Sequence, residues 1–380
     1  MLRLPDTGET FGYTNTFGED NDFTINPPFF IVNKDGTVLD TVTGLMWQKT
    51  DGGEMTVEAA RTYVASLSLG GFTDWRLPSA IEAYSILNLQ RVNPALDTAV
   101  FTYSAAEYWW CIQTQLNDAS KVWVINSGGG IGSHPKAETM SAGGVKRFHV
   151  RAVRDRTTPP TIANHFTDNN KGIVADPTTT DNLTNLTWQQ LVTTDSLTWE
   201  EALKYASATK TSGSTDWRLP NIKELQSIVD VALFNPSVST TFFSTINSDA
   251  KLKKFWSSTT LPNLTDKAWY LEISSGLTTY ETKTTKLKVM LVRGNLNLKT
   301  ATTNILDTAA KPIVSPNPFT EHFFLKEKTG NENFELFNVI GQIIFSGCNV
   351  EQQNFSFLPS GIYFLKVFDA SNAVIKLFKQ

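Results

Sequence analysis

Cysteine is nearly absent. The 380 residues carry two, Cys111 and Cys348. Two cysteines cannot build a disulfide framework, and the reading below puts them in different domains, so no bridge is expected. Histidine is as sparse: His134, His149, His165 and His322 are scattered without a ligand spacing such as HxxxH. Neither a metal nor any other cofactor is expected. An excess of positive charge is also missing. The 33 basic and 37 acidic residues give a net charge of −4 with the signs interspersed, which speaks against a nucleic-acid binder. No apolar run approaches the ~18 residues that span a bilayer. The opening MLRLPDTGETFGYTN lacks a charged stretch followed by an apolar one, so no signal peptide is visible.

What is present is enough apolar residue, 41%, for two or three domains of ~100–200 residues each. The chain also repeats itself. TDWRLP occurs at 73–78 and at 215–220, 142 residues apart. At the same offset TVEAARTYVASL (56–67) aligns with TWEEALKYASAT (198–209), Asn93-Pro94 with Asn235-Pro236, and Phe101 with Phe243. Upstream, GTVLD (36–40) answers GIVAD (172–176), and LMWQ (45–48) answers LTWQ (186–189). Downstream, Tyr108-Trp109 is matched to Phe255-Trp256, Trp123 to Trp269, and AVRD (152–155) to LVRG (291–294). All ten tryptophans fall in the two copies, five in each, whereas residues 313–380 hold 11 of the 24 phenylalanines. That shift marks a third domain. The division expected is 1–155 for copy one, 156–295 for copy two, a polar Thr-rich linker at 296–312, and a last domain at 313–380.

Each copy reads as α+β. NKDG (33–36) and NNKG (169–172) are hairpin turn signals. Thr56 and Thr198 each start a helix, the second with Glu201 completing a capping box. Val57, Ala60, Val64 and Leu67 form one apolar stripe; Trp199, Ala202, Leu203 and Ala206 form the other. Ser79 with Glu82, and Asn221 with Glu224, cap a second helix directly after TDWRLP. Strand-like runs follow around Trp109, Trp123 and Val150, and around Trp256, Trp269 and Val289. Asp74, Trp75 and Arg76, with Asp216, Trp217 and Arg218, are read as structural. The indoles anchor the segment, and Asp and Arg pair with each other or with backbone groups, as buried charges must.

TGLMWQK (43–49), TDWRLP with its helix, the YWWC/FWSS strand and the lead-in LPDTGETFGYTNTFGEDNDFTINPP resemble the Lcl C-terminal domain family across residues 1–295, twice over. The resemblance implies a divergent C-type-lectin-like fold, akin in shape to the domain that generates formylglycine in sulfatases. It also implies a bacterial surface protein of adhesin type, whose best-known relatives bind sulfated polysaccharides. A second resemblance begins at Ser315-Pro316-Asn317-Pro318-Phe319 and runs through FELFNVIGQIIFSG (334–347) and LPSGIYFLKV (358–367). It is to the C-terminal sorting domain of type IX secretion cargo in Bacteroidetes-type bacteria. Its motif positions here are Pro316, Asn317, Pro318, Gly341, Gly361 and Tyr363. The resemblance implies an Ig-like β-sandwich, the secretion machinery as partner, and a secreted or outer-membrane-surface location. Such cargo first crosses the inner membrane on a signal sequence, so a truncated start is expected.

GEDND (18–22) lacks the spaced ligands and closing glutamate of a cation loop and reads as a solvated loop. Cys111, aligned with Ser258, reads as a small core residue. The formylglycine-generating enzymes use a cysteine pair, which neither copy supplies, so no catalytic residues are expected. The expected ligand contacts are cations on the late-strand segments: Lys136, Lys146 and Arg147 in copy one, Lys283, Lys286 and Lys288 in copy two. The function read from these is a surface binding protein for a polysaccharide or a surface protein, with two domains acting together. The alternatives are an enzyme of the formylglycine-generating type, disfavoured by the missing cysteine pair, and a structural surface component without a specific ligand.

Overall fold

Asn33 begins the first hairpin: its backbone N–H donates to the Thr37 carbonyl at 2.9 Å, and Gly36 supplies the left-handed φ of +85° that the turn requires. This computed structural model describes residues 1, 3–102, 104–138, 148–156, 164–169, 177–246, 254–294, 297–298, 313–326, 333–338, 343–348, 350–368 and 374–380. In chain order, copy one and its lead-in hold β1 (Phe23–Thr24), β2 (Phe30–Val32), β3 (Thr37–Asp40), β4 (Leu45–Gln48), α1 (Val57–Ser66) and α2 (Ala80–Ser85). Then come β5 (Tyr108–Gln115), β6 (Asp118–Asn126), β7 (Ile131–Pro135), β8 (Phe148–His149) and β9 (Val153–Asp155). Two four-stranded sheets result, β2-β3-β4-β9 and β7-β6-β5-β8.

Copy two repeats the order. Its elements are β10 (Phe166–Asp168), β11 (Thr178–Asp181), β12 (Leu186–Gln189), α3 (Trp199–Ala208), α4 (Ile222–Ser227), β13 (Lys254–Thr260), β14 (Lys267–Glu272), β15 (Leu277–Thr282) and β16 (Val292–Arg293). β10-β11-β12-β16 matches the first sheet and β13-β14-β15 the second. The helices start where their caps place them. Thr56, Ser79, Thr198 and Asn221 each accept from the N3 backbone N–H, and the last three complete capping boxes. Among the described residues strand outweighs helix, and the helices are few and short.

One alignment needs correction. Trp110, not Trp109, is the counterpart of Trp256. The Trp110 indole donates to the Met55 carbonyl and the Trp256 indole to the Leu197 carbonyl, and those carbonyls stand 142 residues apart. Trp109 therefore answers Phe255, and Cys111 answers Ser257. Cys111 is buried, and burial pushes its thiol pKa up. Trp75 and Trp217 are both buried, and each indole donates to a carbonyl six residues back, Leu69 and Thr211.

Each copy has an apolar core of its own, around Trp75 and Trp110 in one and Trp217 and Trp256 in the other. A further core draws on both. Tyr84, Leu87, Trp123, Ile125 and Ile131 of copy one pack in one cluster with Ile222, Leu225, Ile228, Trp269 and Leu271 of copy two. Met1–Ala301 is accordingly one compact unit, and Thr302–Gln380 is a second. In the first, β17 (Asn297–Leu298) pairs antiparallel with β1.

The lead-in is no solvated loop. Asp20 and Glu19 are buried. Asp20 accepts from the hydroxyls of Thr7 (2.9 Å) and Thr259 (2.6 Å). Glu19 accepts from the Tyr13 N–H and the Thr260 hydroxyl. GEDND thus ties residues 7–22 to β13.

The second unit is β throughout its described elements: β18 (Ile313–Ser315) pairs with β19 (Phe324–Lys326), and β20 (Asn333–Asn338), β21 (Ile343–Gly347), β22 (Gly361–Phe368) and β23 (Val374–Lys379) form a sheet ordered β21-β20-β22-β23. Phe319, Phe323 and Phe355 fill its core. The Asn317 side chain accepts from the Phe378 N–H at 2.8 Å, and the Tyr363 hydroxyl donates to the Pro359 carbonyl at 3.0 Å. Pro316 and Pro318 flank that asparagine, Gly361 opens β22, and Gly341 lies outside the described residues.

Candidate functional site

The two copies meet by exchanging tryptophan edges. β6 and β14 carry Trp123 and Trp269 at equivalent positions, and each ring rests on a glycine turn of the other copy. A Cβ on Gly276, whose φ is +77°, would lie 3.1 Å from the Trp123 ring; one on Gly129, φ +107°, would lie 3.1 Å from the Trp269 ring. Glycine is needed there for both the backbone angle and the close approach. The Ile131 N–H also donates to the Thr278 hydroxyl across the seam at 2.8 Å.

Beside this contact lies an open cleft of about 510 Å³, within the ~300–1,000 Å³ common for ligand sites. Copy one supplies Tyr108, Asn126, Ser133 and His134; copy two supplies Asn263, Leu264, Trp269 and Tyr280; Gly130, Gly132 and Thr278 lie between. Tyr108 and His134 have ring centres 4.5 Å apart, and Tyr280 meets Trp269 edge-on at 5.6 Å. The His134 Nδ1 lies 3.1 Å from a Glu138 carboxylate oxygen, which fixes the imidazole. Lysine, arginine, aspartate and glutamate are all missing from the lining among the described residues. A second hollow, lined by Trp47, Leu87 and Trp109 among others, measures only about 10 Å³ and has room for a water at most.

Four of the six cations expected to form the site are among the described residues. Lys136 is half-buried at the end of β7. Lys146 and Arg147 lie outside the described residues. Lys283 sits 3.8 Å over the Trp199 ring, where burial lowers its pKa against the pull of Glu19 and Glu200. Lys288 is buried and donates to the Thr193 and Thr194 carbonyls. Of the copy-two lysines named, Lys286 alone is exposed.

In TDWRLP, Asp and Arg do not pair with each other. Arg76 makes two bonds to Glu82, at 2.7 and 2.8 Å, and one to Asp155. Arg218 makes two bonds of 2.6 Å to Glu224. Asp74 instead accepts from Arg154, and Asp216 faces Arg293 at 3.8 Å. The glutamates are the ones that cap the second helices, so each ties a helix start to the segment before it.

Two further buried polar groups went unread in the sequence. In copy one, Asp51 accepts from the Gly53 N–H and the Trp109 indole, lies 3.0 Å from His149 Nδ1 and 3.6 Å from Arg151, and takes a short bond from Ser104. Burial would raise its pKa, but His149, Arg151 and Ser104 together carry it down to about 2. Copy two keeps none of this: Val192, Lys288 and Met290 stand at the equivalent places. The second group is Lys223, wholly buried, whose ammonium donates to the carbonyls of Asp6, Ser85 and Leu87. No three His, Cys, Asp or Glu side chains gather as a metal site among the described residues.

Comparison with protein families agrees with this duplication. The Lcl C-terminal domain model matches twice, at residues 36–154 and 177–293, and the secretion system C-terminal sorting domain matches residues 314–379. The chain belongs to the Lcl C-terminal domain family. The sorting domain marks it for type IX secretion and the cell surface, with that machinery as a partner. No helix among the described residues is long and apolar enough to cross a membrane. No curated protein matches the chain.

Proposed function

We propose that this is a non-catalytic cell-surface binding protein of adhesin type, built on two lectin-like copies and directed at a glycan. The observation that carries the reading is the seam cleft. It is open to solvent, large enough for a ligand, and lined by aromatic rings beside side-chain amides, the combination that holds a molecule with apolar faces and polar edges. A sorting domain that delivers the chain to the surface suits such a role. The strand-helix-helix-strand order of each copy supports the lectin-like reading of the fold. The test is a glycan array probed with the full chain. Retention on a defined set of saccharides is expected. Uniform absence of retention, with the protein folded, overturns the reading in favour of a structural surface component.

A further inference from the structure

We propose that the seam cleft takes an uncharged stretch of saccharide, gripped by both copies at once, so that the tandem repeat makes one site per chain and not two. The proposal rests on the glycan reading above and adds the ligand's charge, its place and its number.

The charge follows from the lining. A sulfate or carboxylate moved out of water needs a cation or several N–H donors in return, and the cleft offers no lysine or arginine among the described residues. The nearby ammonium of Lys267 is placed 5.2 Å from the Tyr280 ring centre. What the cleft does offer is ring surface from Tyr108, Trp269 and Tyr280, and amides from Asn93, Asn126 and Asn263. An amide donates and accepts, as a sugar hydroxyl does. Asn126 already uses its oxygen on the Gly128 N–H at 2.5 Å, which leaves its NH₂ as a donor.

The number follows from broken symmetry. His134 and Tyr280 occupy equivalent places on β7 and β15, so the middle of the cleft is shared. The flanks are not. In copy one Tyr108 pairs with Asn126 across β5 and β6; at the equivalent place in copy two Lys254 pairs with Glu272 across β13 and β14. Lys254 also reaches Glu281 at 4.0 Å. The mirrored flank is therefore an ion-pair surface, and among the described residues the aromatic–amide cleft exists once.

The experiment is affinity electrophoresis of the full chain in gels containing dextran, mannan, galactan or starch, with heparin as the sulfated probe, at low and high salt. Calorimetry on the best neutral oligosaccharide then gives the stoichiometry. Retardation in at least one neutral gel is expected, unchanged by salt, with one ligand per chain. Tyr280→Ala and Asn263→Ala are both at exposed positions, so each should stay folded. Tyr280→Ala should weaken binding about tenfold, the loss of an anchoring ring, and Asn263→Ala by less. Lys286→Ala should change nothing. Retardation by heparin alone, fading with salt and indifferent to Tyr280→Ala, overturns this proposal and leaves the glycan reading standing. Two ligands per chain overturn the shared site. Failure to bind any saccharide, or binding of a peptide in the cleft, overturns both.

Discussion

A lysine ammonium sealed from water holds three carbonyl oxygens at 2.7–2.9 Å where the copies meet. Burial pushes the Lys223 pKa down to about 8, against the pull of Asp6, Asp40 and Asp20. Copy one has Ile81 at the matching position, so neither periodicity nor the repeat could point to this role; a lysine on a helix reads as solvated until the seam is known. Lys223→Met should destabilise the first unit by ~3 kcal/mol, because the acceptors it leaves are buried. Denaturant melts of the full chain give the number, and a loss under ~1 kcal/mol would mean that water satisfies those carbonyls. Asp20 sets a pH dependence. Burial and then the charge of Asp6 raise its pKa to about 8, although the Thr259 and Thr7 hydroxyls oppose them. The folded protein holds that proton where the unfolded chain has lost it. Its contribution is complete below the ordinary carboxylate value of 3.8 and is lost as pH rises through about 8. Asp51 works the other way: its contribution is present above 3.8 and lost as pH falls through about 2. Stability of the first unit should therefore fall between about pH 5 and about pH 8, and Asp20→Asn should flatten that decline. An unchanged slope in Asp20→Asn would assign it to other groups.

The second helices, α2 and α4, show how one side chain can serve two elements. Glu82 and Glu224 cap a helix and also grip the arginine of TDWRLP. The cap was legible, since Ser/Asn followed three residues later by Glu is a local pattern. The ion pairs were not: Arg76 and Arg218 turn to those cap glutamates, because the fold brings Arg154 and Arg293 to the aspartates instead. The two copies differ in exposure: the Arg76 side chain is 33% exposed and Arg218 only 2%. Arg76 keeps Asp155 when Glu82 is removed. Glu224→Ala should thus cost ~3–5 kcal/mol, by stranding a buried guanidinium, and Glu82→Ala about half that after allowance for solvent. Equal melting shifts for the two variants would refute this ordering. The strand register was half legible. Adjacent tryptophans at 109 and 110 leave a one-residue ambiguity, and in a strand one residue exchanges the two faces. The cleft was legible on one wall only: Asn126, Ser133 and His134 lie in the late-strand segment expected to bind ligand, but the facing wall comes from residues some 150 positions on, and no linear pattern joins the two.

At the scale of the molecule, the repeat announced two domains, and the packing makes the two copies one unit. A shared apolar core and exchanged tryptophan edges mean that each copy alone would expose ring surface to water. Calorimetry should show one transition for Met1–Ala301, and residues 1–155 expressed alone should bind a hydrophobic dye and melt broadly. A sharp, dye-free transition for that half would show that the seam is dispensable. Deleting residues 302–380 should leave the first transition in place and abolish surface display, as read by surface labelling of cells. The linker and the change from tryptophan to phenylalanine made that division visible from composition, since each unit had to fill its core from its own aromatic residues.

The pairing of β1 with β17 sets where tension enters. If the protein is held to the cell through its C-terminal side and to a ligand through the cleft, force reaches the first unit at residue 298. Among the described residues, the first structure it meets is a ladder of two residue pairs, Phe23 with Leu298 and Thr24 with Asn297. Behind it, β16 is held in its sheet by β12, and the lead-in is held by Asp20 and Glu19. The short ladder should part at low load and lengthen the tether by a few residues, ~3.3 Å each, while the cleft stays whole. Single-molecule pulling from the C-terminal side should record a small early extension before the main rupture, and its absence would place the first yield elsewhere.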